Sequence, residues 1–114
     1  MARITRFLII SIATLIASPL FAECPYPDEV GMPDGATATN DQMVDGQKAV
    51  KAYMAEMDAY LKCMDKEDAA MDEEQLTPEL QSLRVEKYNA AVDVMEATAA
   101  AFNEQVREYK AANP

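Results

Sequence analysis

The 114-residue chain carries 20 Asp and Glu against 10 Lys and Arg, for a net charge of −10, and has no histidine. That acidity disfavours nucleic acid and anionic lipid as partners, and the missing histidine removes Ser-His-Asp triads, His general bases and most zinc sites. Two widely spaced cysteines and three glycines leave no Cys-x-x-Cys motif and no phosphate-cradling glycine loop, so no catalytic residue is expected and the chain does not read as an enzyme.

Residues 1–22 have the layout of a secretory signal peptide. Arg3 and Arg6 form a positive start, Phe7 to Ser18 an uncharged apolar run, and Pro19-Leu20-Phe21-Ala22 leads into Glu23-Cys24-Pro25. The best cleavage point follows Ala22. The apolar run stops short of the about 18–20 residues a spanning helix needs, so no stable membrane anchor is expected after cleavage. The exported chain then holds 8 Lys and Arg against 20 Asp and Glu, a charge of about −12. Its compartment, the periplasm or beyond, is oxidising, and an even cysteine count there reads as one disulfide between Cys24 and Cys63.

Residues 23–39 are rich in Pro and Gly and predict an extended arm. Pro33-Asp34-Gly35 is a turn signal, with Gly35 supplying positive φ. Thr39 and Gln42 fit a capping box, with Asp41 in the first turn, so a helix starts at 40. Met43, Val50, Met57, Met64 and Met71 recur every seven residues, joined by Tyr53, Met54, Tyr60 and Leu61. That is a coiled-coil-like seam. Gly46 interrupts it at a cost of about 1 kcal/mol against Ala. The acidic run from Asp65 to Glu74 opposes the helix dipole, so the helix should fray between Asp68 and Glu74, at about 72.

Thr77-Pro78-Glu79 restarts a helix over about 78–111, with Thr77 as N-cap and Pro78 in the first turn. Its seven-residue rows are Tyr88, Met95, Phe102, Tyr109 and Val85, Val92, Ala99, Val106. A short connection makes the helices antiparallel neighbours, with Met57 opposite Val92 and Val50 opposite Ala99 or Ala100. The fold class is therefore all-α: a helical hairpin over 40–114 with an arm tied to its first helix.

A stripe of small residues, Ala49, Ala52, Ala59 and Cys63, runs beside the first seam and offers a bed for the arm. Cys63 lies roughly 35 Å along the helix from its start, and residues 24–39 reach about 50 Å when extended. The tether can therefore run back along the helix, with Pro25, Tyr26 and Pro27 near Tyr60. Closing this loop is worth about 4 kcal/mol in the chain-entropy model, a large share of a small domain's stability. On the second helix, Ala90, Val94, Ala97 and Ala101 form a matching stripe that one partner helix cannot cover. It is the candidate interaction face, for a protein partner or a second copy in a four-helix bundle.

Three weaker signals complete the reading. The acidic run lacks the glycine and the Asp register of an EF-hand, so no bound metal or other cofactor is expected. Met54 and Met57 could offer thioethers to Cu(I) in an exported protein, although most of the methionines fall on the apolar seams, where a core role accounts for them. Leu76-Thr77-Pro78-Glu79-Leu80-Gln81 partly resembles the Leu-Thr-x-x-Gln motif of periplasmic stress chaperones of the Spy and CpxP kind, with the Gln one position late, and implies a holdase as the alternative function.

Finally, Cys24-Pro25-Tyr26-Pro27, Pro33-Asp34-Gly35, Tyr60-Leu61-Lys62-Cys63 and the stretch Phe102 to Tyr109 together resemble a group of small uncharacterised exported proteins of proteobacteria with paired cysteines. The resemblance implies an exported structural or binding protein and transfers no active site.

Overall fold

The computed structural model describes residues 23–114; the signal-peptide reading falls on residues outside that range. Two helices, α1 (Asn40–Ala70) and α2 (Pro78–Ala112), pack as a hairpin, and Cys24–Cys63 joins the preceding arm to α1. No strand occurs among the described residues.

Both helix starts follow from side chains that satisfy the orphan N–H groups of a first turn. The Thr39 hydroxyl accepts from the Gln42 N–H at 3.2 Å, and Gln42 Oε1 accepts from the Thr39 N–H at 2.8 Å, which completes the expected capping box. Thr77 caps α2 in the same way, accepting from the Leu80 N–H, with Pro78 in the first turn. Helix α1 ends at Ala70, inside the predicted fraying window and two residues before the predicted end, while α2 runs one residue past its predicted limit. The connection is itself organised by a reciprocal pair. The Gln75 N–H donates to Asp72 Oδ1 at 2.9 Å, and the Asp72 N–H donates to Gln75 Oε1 at 3.1 Å.

Most of the α1 seam is buried as expected: Met43, Val50, Tyr53, Met57, Leu61 and Met64 lie inside, with Met57 fully enclosed, whereas Met54 and Tyr60 are half-buried and Met71, the last of the row, is the half-buried C-cap beyond the helix. On α2 the inward face differs from the heptad reading. Its one buried residue is Ala91, which joins Tyr53, Met57 and Leu61 in the core, with Val92 and Met95 at the edge. Val85 is 54% exposed and Ala99 is also exposed. The helix is turned so that Arg84 and Gln105 point inward instead. Apolar residues cover more than half of α2's circumference, so hydrophobic spacing alone does not select a single face, and the face adopted is the one on which Arg84 and Gln105 make their polar contacts while Val92 and Met95 still meet the core.

The arm runs back along α1, yet it is seated differently from the expectation. It lies in the groove between the helices rather than on the small-residue stripe. Val30 packs on the core, the Pro33 ring sits against Gly46, and Gly35 lies against the α2 backbone at Gln105. Ala49, Ala52 and Ala59 stay exposed at the arm's edge. In the groove an extended segment buries apolar surface on two sides, whereas the stripe would offer one.

Candidate functional site

The arm is held at three levels. At the hairpin's closed end, Cys24 bonds to Cys63 across a Cα–Cα distance of 5.7 Å. One step on, the Tyr26 ring meets Tyr60 edge-on, with centroids 5.1 Å apart and planes at 78°. This agrees with the sequence expectation, and Pro25 and Pro27 line one shallow pocket together with Tyr26, Tyr60, Glu56 and Ala59. Beneath them Tyr53 is 4% exposed. Burial pushes its phenol above the ordinary value of 10.0, and the neighbouring Tyr26 and Glu29 push the same way.

At the far end, Asp34 builds the turn. Its carbonyl accepts from the Ala38 N–H at 2.7 Å, and its side chain accepts from the Ala36 N–H at 3.1 Å. The turn delivers the Gly35 N–H to Gln105 Oε1 at 2.7 Å. No glycine among the described residues has positive φ. Gly35 is therefore needed for proximity and not for handedness: a Cβ there would collide with the Gln105 carbonyl and lie 3.0 Å from the Tyr109 nitrogen. Gly46 plays the same part on α1, where a Cβ would lie 2.8 Å from Pro33 Cγ and 3.5 Å from the Phe102 ring. Sequence reading took one glycine for a turn and the other for a helix defect. Their shared role is visible only once the arm is in place.

Arg84 is the second feature that sequence reading missed. Its side chain is 14% exposed, and the guanidinium donates to the Met64 carbonyl at 3.0 Å, to Glu67 Oε2 at 3.2 Å, and to Asp68. Helix α1 has no basic residue in its last turn, so α2 supplies the cation that offsets its C-terminal dipole and acidic run.

The predicted interaction face is on the surface. Ala90, Ala97 and Ala101 are exposed and Val94 is 38% exposed, with Leu83 at 47% about two turns before Ala90 on the same side of α2. Of the two methionines considered for copper, Met57 is enclosed in the core and Met54 is half-buried. The Cys24 and Cys63 sulfurs lie within 4.8 Å of a Glu67 oxygen, but sulfurs joined as a disulfide present no thiolate to a metal. Thr77, the threonine of the chaperone-like stretch, is occupied as the α2 cap. The chain matches no protein-family model, no curated protein and no solved structure.

Proposed function

We propose that this chain is an exported, non-enzymatic binding protein of the bacterial envelope, a rigid stapled hairpin that presents α2 to a protein partner. The observation that carries this reading is the exposed strip Ala90, Val94, Ala97 and Ala101, extended by Leu83, on a helix held in place by the arm and by Arg84. Small side chains allow close approach of a partner helix. The arm contributes Glu23, Asp28, Glu29 and Asp34 and no basic residue, which favours a partner with a cationic rim around an apolar strip.

The test is affinity capture from native envelope extract with the disulfide intact, wild type against Ala97→Glu. A partner retained by wild type and lost with Ala97→Glu supports the reading, and equal capture by both argues against it. The holdase alternative rests on the same exposed apolar surface. It predicts suppression of aggregation of unrelated unfolded clients, with no single partner enriched.

A further inference from the structure

Helix α2 carries a second apolar row, and the arm is not near it. At 3.6 residues per turn, Val85, Tyr88, Val92, Ala99 and Val106 lie on one side of α2, and Gln105, which meets the arm, lies on the other. On α1, Gly46 and Tyr60 face the arm, while Met54 falls on the same side of the hairpin as the α2 row. The hairpin thus has two grooves, one filled by the arm and one not. The row beside the second groove is half-exposed, with Val85 at 54% and Tyr88 at 36%. A seven-residue repeat sustained over Val85, Val92, Ala99 and Val106 suits a helix as its neighbour and not an extended strand.

We infer that a second copy of this chain covers this groove, pairing back to back into a four-helix bundle. The distribution of charge selects the occupant. Carboxylates dominate the arm, which has four acidic residues and no basic one, and the connection, where Asp72, Glu73 and Glu74 are unopposed. The side away from the arm is balanced: Asp58, Asp65 and Glu96 are matched by Lys51, Lys62 and Lys110. A two-fold contact must be self-complementary. Two arm faces would bring like charges together, whereas two back faces meet with an apolar row and mixed charge. The inference deepens the reading of the hairpin as an interaction module and leaves the Ala90–Ala101 strip outward for a foreign partner.

The experiment is sedimentation equilibrium of the oxidised, exported protein from low to several hundred micromolar. The expected result is a mass that doubles with concentration. In the double variant Val85→Glu, Ala99→Glu the dissociation constant should rise at least roughly tenfold. Both positions are exposed in one hairpin, so far-ultraviolet circular dichroism should be unchanged. Ala97→Glu, on the other strip, should leave the dimer intact. A monomer at every concentration overturns the inference, as does a dimer indifferent to the double variant or dissolved by Ala97→Glu. A monomer that still captures a partner through Ala97 sinks this inference alone; a dimer that captures nothing sinks the partner reading alone.

Discussion

Gly35 in the arm and Gln105 in α2, seventy positions apart, meet through a 2.7 Å hydrogen bond from the Gly35 N–H to the Gln105 side chain, with the two backbones in contact. That contact, at the end of the arm opposite the disulfide, makes the arm a third element of the fold. Gly35→Ala should lift this end and cost about 1–3 kcal/mol, the range for forced overpacking. Gln105→Ala should cost about 1 kcal/mol. Urea denaturation of both variants checks this, and an unchanged midpoint for Gly35→Ala would contradict the close approach.

Gly46→Ala separates helix propensity from packing. Propensity alone favours Ala by about 1 kcal/mol. The stiff Pro33 ring, 2.8 Å from where the Cβ would stand, makes the substitution destabilising. In a Pro33→Ala background the sign should reverse, and a double-mutant cycle in urea reads the coupling directly.

Reducing Cys24–Cys63 should lower stability by up to about 4 kcal/mol, the chain-entropy value for a loop of this length. The Gly35 and Pro33 contacts lie beyond the bridge and remain, so the helices should persist. The measurement is urea denaturation followed by circular dichroism, oxidised against the double variant Cys24→Ser, Cys63→Ser. Loss of helix in the double variant before any urea is added would show that the bridge is required for the hairpin itself.

Arg84→Met should cost about 1–3 kcal/mol, because the Met64 carbonyl, Glu67 and Asp68 lose a shared, largely buried donor. Hydrogen exchange should show the loss concentrated in the last turn of α1. Uniform loosening of both helices would point to a different role.

Stability should be insensitive to Tyr53 up to about pH 10 and fall above it. The folded phenol, its pKa raised by burial, keeps its proton where the unfolded chain has begun to release one. The folded state then binds more protons, so stability declines as pH rises. Tyr53→Phe should flatten that decline in rapid pH-jump unfolding. An equal slope in both proteins would place the titration elsewhere.

The sequence by itself determined the elements and the staple. Thr39 with Gln42, and Thr77 with Pro78, set the helix starts because capping is local chemistry; the seven-residue row through Met57 set the α1 core; two cysteines left one pairing. Tertiary structure decided the rest. The face of α2 that turns inward is the one on which Arg84 meets α1 and Gln105 meets the arm, and no local spacing encodes those distant partners. The arm's seat in the groove depended on the space left by Gly46 and Gly35. A missing side chain acquires meaning only from what comes to occupy its place, and here that is Pro33 on one helix and the Gln105 backbone on the other.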